Sequence, residues 1–162
     1  MAQLPYTSIK IPGGTVTVVV DDRVVVASSF LGIADIRSRL SPELIFKKAK
    51  LADLENVLQR YRAGELTALD EVEVAQPGGP FQQEVWTAMR TIEPGSIDSY
   101  GGLAARAGRP RAYRAVGTAC SANLVAPFVP CHRVVSANGI GGYGYGLAVK
   151  RALLEHEGAS LG

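Results

Sequence analysis

Cysteine and histidine are scarce in this chain, with two of each among 162 residues. That is too few for a tetrahedral structural zinc site built by the chain alone. It is also too few for the disulfide framework of a small stapled domain, which needs an oxidising compartment as well. Cys120 and Cys131 are therefore expected to be thiols, and no metal or other cofactor is expected. Long apolar runs are missing too: nothing approaches the roughly 18 apolar residues of a membrane span, and the opening stretch MAQLPYTSIK lacks the apolar centre of a secretory signal. The expectation is a cytoplasmic protein with no membrane partner. A phosphate-binding P-loop is excluded because no G-x-x-x-x-G-K-S/T pattern occurs. Charged residues make up only 20% of the chain against 47% hydrophobic ones, the balance of a folded globular protein.

The first third reads as strands followed by helix. Two β-branched runs, Thr15 to Val20 and Val24 to Ser28, flank the turn-prone Asp21 and Asp22 and suggest a hairpin. Ser41, Pro42 and Glu43 offer an N-cap, a first-turn proline and a first-turn acid, so a helix is expected to start there. Leu51, Leu54, Val57, Leu58 and Tyr61 continue at helical spacing, and Gly64 is placed to end the run. Composition then shifts at QPGGP, residues 76 to 80, the expected boundary between two domains. Pro80 opens a further helix whose Phe81, Val85, Trp86, Met89 and Ile92 share one face, read as core packing.

The second half carries the unusual features. Residues 99 to 123, SYGGLAARAGRPRAYRAVGTACSAN, split into a short helix from about Tyr100 to Ala107, a turn at Gly108 to Pro110, and a helix from about Arg111 to Ala122. This is a helix-turn-helix outline. Ala112, Ala115, Gly117 and Ala119 leave the second helix slim enough to approach a duplex closely, while Arg109, Arg111 and Arg114 offer cations. From Ser96 to Arg151 there are seven basic residues against one acid, net +6, whereas the remainder carries ten basic and fourteen acidic residues, net −4. A basic half joined to an acidic half is the pattern of a surface that meets phosphate. Further on, a short buried strand is expected around VPCHRVV, then a loop of glycines around Tyr143 and Tyr145, then a helix from Leu147 to Glu157 capped by Gly158.

Cys131 sits beside His132 in that VPCHRVV stretch. A free cysteine titrates near 8.5, so only about 3% is thiolate at pH 7 without an activator. Neighbours in an extended strand point to opposite faces, so the pair can cooperate only if the chain turns there or a water bridges them. From the bare pattern Cys131 is either a nucleophile or a buried structural cysteine.

The motifs PCHRV, SYGGLAARAG, RAVG and GGYGYGLAVKRALLEHEG stand in an order that resembles the O6-alkylguanine-DNA alkyltransferase family over residues 80 to 158. The resemblance implies an α/β (α+β) fold, with a small strand-and-helix domain of structural role at residues 1–79. A mainly helical DNA-binding and alkyl-transfer domain is then expected at residues 80–162. It implies direct repair of double-stranded DNA containing O6-alkylguanine, with O4-alkylthymine as a further candidate substrate, by a single irreversible transfer. The helix-turn-helix would enter the minor groove and the damaged base would be flipped into a pocket. Cys131 is then the nucleophile, His132 a base acting through a water, Glu157 the group that orients it, and Asn123 the brace of the turn. Tyr100 would press on the phosphate, Arg114 would fill the gap in the stack, and Ala112, Ala115 and Gly117 would permit close groove approach. Tyr143, Val134 and Lys150 are expected at the substrate pocket. His156 is read as structural, and Arg133 as a holder of neighbouring backbone.

Leu124 stands where the family usually has proline, Pro127 where an aliphatic residue is usual, Tyr113 where a small residue is common, and the GIGGYGYG loop is one residue shorter than the familiar one. The alternative function is a non-catalytic protein that recognises alkylated DNA, but such relatives typically carry tryptophan at the cysteine position. A regulator with an added metal-binding cysteine cluster and a multiple-turnover cysteine hydrolase are further alternatives. The protein is expected to be a monomer in solution, with cooperative assembly on DNA left open.

Overall fold

The first thirty residues, rich in valine and threonine, build three strands of a four-stranded sheet. The structure, a computed structural model, describes residues 3–160. Strands β1 (Gln3–Ile11), β2 (Gly14–Asp21) and β3 (Val24–Ser29) run antiparallel, and β4 (Ile45–Lys48) adds to β1 in parallel, giving the order β3-β2-β1-β4. The β2–β3 turn is one position later than its aspartates suggest: Asp22 and Arg23 both take positive φ, 47° and 71°. Two such residues are what a two-residue hairpin turn matching the strand twist requires.

The period of two sorts the side chains onto opposite faces. Val16, Val18 and Val20 join the main core beneath α2 (Ala52–Arg62), whereas Val19 and its cross-strand partner Ala27 pack with Ile36 of α1 (Ile33–Arg39) in a second, smaller cluster. Burial of each valine contributes about 1.5–3 kcal/mol relative to exposure. Within α2, Leu54, Val57, Leu58 and Tyr61 form the buried stripe, and Gly64, at φ 110°, follows the helix end as expected.

The helix expected from Ser41 does not form. Leu44 N–H closes a turn onto Ser41 O at 3.2 Å, and Ile45–Lys48 is strand, because β1 offers that segment a long-range backbone partner. The helix begins only at Ala52, where the Leu51 N–H is accepted by Glu55 Oε2 at 2.8 Å.

After a 3₁₀ turn (Leu66–Glu71), Pro80 opens α3 (Pro80–Met89), and Val85, Trp86, Met89 and Ile92 are buried. The helix-turn-helix consists of α4 (Tyr100–Arg106) and α5 (Tyr113–Ala122). Ser99 caps α4 by accepting the Gly102 N–H at 2.9 Å. Gly108, at φ 83°, opens the turn, and α5 starts later than its alanine content suggests, because Ala112 N–H still closes onto Arg109 O at 2.9 Å. A parallel pair, β5 (Asp98–Ser99) with β6 (Val134–Val135), ties the start of α4 to the chain just beyond Cys131. The expected strand at VPCHRVV is shorter than its apolar run implies, since Cys131–Arg133 form a 3₁₀ turn. Helix α6 (Leu147–His156) closes the chain, with Gly158 at φ 78° behind it. The main core runs from β2 through α2 to α3, α4, α5 and α6, so both halves of the chain share it.

Candidate active site

The 3₁₀ turn separates Cys131 from its neighbour. Cys131 faces a cavity of about 430 Å³, whereas His132 is fully buried behind it. Asn123, at the C-cap of α5, donates from Nδ2 to Val129 O at 2.8 Å and to Cys131 Sγ at 3.3 Å, so it braces both the turn and the sulfur.

Behind the cysteine lies a buried carboxylate with more donors than one histidine would supply. Glu157 Oε2 accepts from Tyr61 Oη at 2.7 Å, from Arg133 Nη2 at 3.0 Å and from His132 Nε2 at 2.9 Å, while Oε1 accepts from Arg133 Nε at 2.8 Å. Burial pushes the Glu157 carboxyl up, but the hydrogen bonds and charge of His132 and Arg133 outweigh it and hold the group well below the usual carboxylate range. Burial also lowers the His132 imidazole, against the pull of Glu157. The tautomer follows from these partners: a neutral ring donating Nε2–H to the carboxylate leaves Nδ1 as an acceptor. His132 Nδ1 is buried and has no hydrogen-bond partner among the described residues. Burial raises the Cys131 thiol, opposed by the Asn123 hydrogen bond and the Lys150 charge, so the resting pair is a thiol and a neutral imidazole.

The cavity is lined by residues of both halves of the chain: Tyr100 and Gly117 of the helix-turn-helix, Tyr143 and Tyr145 of the glycine loop, and Leu31, Asp35 and Arg39 from the N-terminal part. Tyr143 Oη is buried without a partner among the described residues. Tyr145 is anchored away from the loop, accepting from Arg39 Nη1 at 2.8 Å, donating to Ser28 O at 3.2 Å, and packing edge-on against Phe30 and Tyr143. Arg39 Nη2 also donates to Asn123 O at 3.0 Å.

Two expected pocket residues do not line the cavity. Val134 is buried in the main core and does not line the cavity. Lys150 is fully buried, and its Nζ donates to Val134 O at 2.7 Å and Gly142 O at 2.9 Å. The ammonium is consumed by main-chain carbonyls and fastens the glycine loop to β6. Arg133 contacts Ile92 O at 2.7 Å in addition to Glu157, and His156 Nε2 meets Tyr61 O at 2.7 Å, both internal contacts as expected.

The basic surface is smaller than the sequence count because Arg133 and Lys150 lie inside and Arg106 pairs with Asp98 at 2.5 Å. Arg109, Arg111, Arg114 and Arg151 remain exposed, with the Arg109 guanidinium 4.9 Å from the Phe81 ring centre. Arg114 and Ala115 are exposed on α5, Ala112 is half-exposed at its N-cap, and Tyr113 is 53% exposed, pointing outward. Arg39, Tyr61, Gln76 and Tyr145 were not among the expected site residues. Tyr145 lies within the GGYGYG stretch, but no local motif marks Arg39, Tyr61 or Gln76, since each reaches the site through a contact spanning at least 47 positions.

Residues 80–159 match the family model of the 6-O-methylguanine DNA methyltransferase DNA-binding domain. A methylated-DNA–protein-cysteine methyltransferase of Salmonella typhimurium is 50% identical over 109 residues, 67% of this chain and 64% of the relative, so the matched chain spans just under two thirds of that protein. The enzyme of that name from Methanosarcina mazei is 39% identical over 126 residues, 77% of this chain and 79% of the relative. The crystal structure of Mycobacterium tuberculosis OGT in complex with DNA superposes with a TM-score of 0.81 at 38% identity, covering 97% of this chain and 93% of that one. With its sheet followed by the helix-turn-helix, and a PCHRV cysteine facing the cavity, the chain belongs to the O6-methylguanine-DNA methyltransferase family.

Proposed function

We propose that this protein repairs O6-alkylguanine in double-stranded DNA by irreversible transfer of the alkyl group to Cys131. The observation that carries the reading is Cys131 Sγ facing the cavity under the Asn123 amide, with the buried His132–Glu157 pair directly behind. A water bound at His132 Nδ1 passes the thiol proton to the imidazole, and Glu157 stabilises the imidazolium that forms. The sulfur then bonds to the alkyl carbon as the carbon–O6 bond breaks. The electron pair moves onto the purine, and a proton returns to it to give guanine. A thioether offers no leaving group for reversal, so each molecule reacts once, and no cofactor takes part.

The lesion must leave the stack to reach a sulfur set this deep, which supports base flipping into the cavity. In this reading α5 lies in the minor groove with Ala112, Ala115 and Gly117 at the closest approach, Arg114 fills the gap in the stack, Tyr100 presses on the phosphate, and Tyr143 contacts the flipped base. The solved complex of the M. tuberculosis relative with DNA supports DNA as the partner. Residues 80–162 form the reacting domain and residues 1–79 its support, in a monomeric cytoplasmic protein.

Intact-mass measurement after incubation with a duplex bearing one O6-methylguanine tests the proposal. A gain of one methylene equivalent, mapped to the Cys131 peptide and saturating at one per protein, is expected. Binding to the lesion without mass change would favour a recognition protein.

A further inference from the structure

The Asn123 side-chain amide can make four hydrogen bonds, and all four are made. Nδ2 donates to Val129 O and Cys131 Sγ, while Oδ1 accepts from Val125 N–H at 3.1 Å and from Gln76 Nε2 at 3.0 Å. Gln76 lies in the segment before α3, outside every element that carries the cysteine. Its own amide is oriented by Leu124 N–H, which donates to Gln76 Oε1 at 2.7 Å, and its main-chain carbonyl accepts from Gln83 Nε2 at 2.7 Å. A proline at position 124 has no N–H to give. Leu124 therefore creates a donor at this turn, and Gln76 both satisfies it and turns its amino group toward Asn123.

We propose that Gln76 is a positioning residue for Cys131: it holds the Asn123 amide with an N–H, not a lone pair, against the sulfur. A donor beside sulfur favours thiolate over thiol, so the orientation of one amide sets how readily the cysteine is activated. The proposal rests on the reading of Cys131 as nucleophile. The other titratable and charged groups around the sulfur are Lys150 of α6, Arg39 and Asp35 of α1, Tyr100 of α4, Cys120 of α5, Tyr143 and Tyr145 of the loop, and His132 behind it, and substitution at Gln76 removes none of them.

Two variants separate orientation from packing. Gln76→Glu keeps an acceptor for Leu124 N–H but sets a carboxylate oxygen against Asn123 Oδ1, opposing the amide orientation that Val125 N–H and Val129 O still favour, and it adds a negative charge near the sulfur. Gln76→Leu removes both hydrogen bonds and leaves Asn123 held by Val125 and Val129 alone. Gln76 is only half-buried, so both chains should fold. The test is the pH dependence of Cys131 carbamidomethylation by iodoacetamide, followed by peptide mass mapping so that Cys120 is counted apart. Single-turnover transfer from an O6-methylguanine duplex and duplex affinity are measured alongside.

In Gln76→Glu the midpoint for Cys131 moves up by about one pH unit, and transfer at pH 7 slows about tenfold, the scale of one neutral hydrogen bond. Gln76→Leu shifts in the same direction by less, with duplex affinity unchanged in both. An unmoved midpoint in Gln76→Leu overturns the proposal, whatever Gln76→Glu does and whether or not transfer slows, because a new carboxylate raises a nearby thiol by its charge alone and slower transfer alone is what lost packing would produce. If the unaltered protein transfers no alkyl group while the midpoint still moves, the positioning role stands and the functional reading fails.

Discussion

Tyr61 Oη donates to Glu157 Oε2 across 2.7 Å, bringing a phenol from the N-terminal helix α2 to the same carboxylate oxygen that holds His132. The residue is fully buried, its ring lies edge-on to His156 at 5.0 Å, and burial beside Glu157 keeps the phenol protonated far into the alkaline range. The N-terminal half thus reaches the buried carboxylate behind the cysteine as well as one wall of the cavity.

Tyr61→Phe keeps the ring and deletes this one bond. A hydrogen bond to a charged acceptor contributes about 1.5–3 kcal/mol, and urea unfolding should show a loss of that size. Glu157, with one donor fewer, becomes more basic and stabilises the His132 imidazolium. The acid limb of the transfer rate should therefore move to higher pH, a shift that lost packing alone would not cause.

Glu157→Gln leaves the Arg133 guanidinium buried without its counter-charge, at a cost of about 3–5 kcal/mol. It also allows an amide N–H to face His132 Nε2, which disfavours the tautomer with an accepting Nδ1. Transfer should slow by about 10²-fold or more, on the scale of general-base catalysis. Thermal unfolding and single-turnover kinetics check the two effects separately.

Cys131→Ser should abolish transfer and leave binding to a lesion-bearing duplex largely intact, read by intact mass and by gel shift. Cys120→Ala should retain transfer, because burial pushes the Cys120 thiol up to about 12, far from a reactive thiolate. Transfer that survived in Cys131→Ser would remove the central assignment.

Arg114→Ala should slow transfer from duplex DNA while leaving reaction with free O6-alkylguanine base unchanged, since the side chain is exposed on α5 and absent from the cavity lining. Duplex affinity should also fall with rising salt in the unaltered protein, as for any binder that displaces counterions. Equal slowing on both substrates would place Arg114 in the pocket chemistry instead.

Stability should plateau only between about pH 6.5 and about pH 8, because below that window the unfolded chain protonates the histidine that burial keeps neutral in the fold, His132, so stability already declines there. Glu157 has a folded pKa depressed below its unfolded value of about 4.3, so its contribution is complete above that pH and is lost as the pH falls through the folded value. Cys120 has a raised folded pKa, so its contribution is present below the unfolded value of about 8.5 and is lost as the pH rises toward about 12. Melting temperatures measured across pH 3 to about 11 check both edges. Transfer, in contrast, should persist below the ordinary histidine value of about 6.5, because burial keeps His132 neutral there.

Signals carried by neighbouring residues were legible in the sequence. The β2–β3 valine runs, the Leu54–Tyr61 stripe, Pro80 at the start of α3, the α4–turn–α5 outline and the glycine ends at Gly64 and Gly158 all depend on period, turn residues or φ, which a few adjacent residues set. The ordered PCHRV, helix-turn-helix and HEG motifs likewise carried the family, and they pointed to Cys131, His132, Glu157 and Asn123, which the fold brings together. Tertiary structure decided what depends on partners far along the chain. It made strand of Ile45–Lys48 by pairing it with β1, against a strong helix-start signal at Ser41. It drew Lys150 out of the pocket onto two carbonyls, and it brought Tyr61, Gln76 and Arg39 to the cysteine's supporting groups across separations of 96, 47 and 84 positions. A hydrogen bond across such a separation leaves no local pattern, because it depends on where the shared core places two elements and not on what lies beside either one.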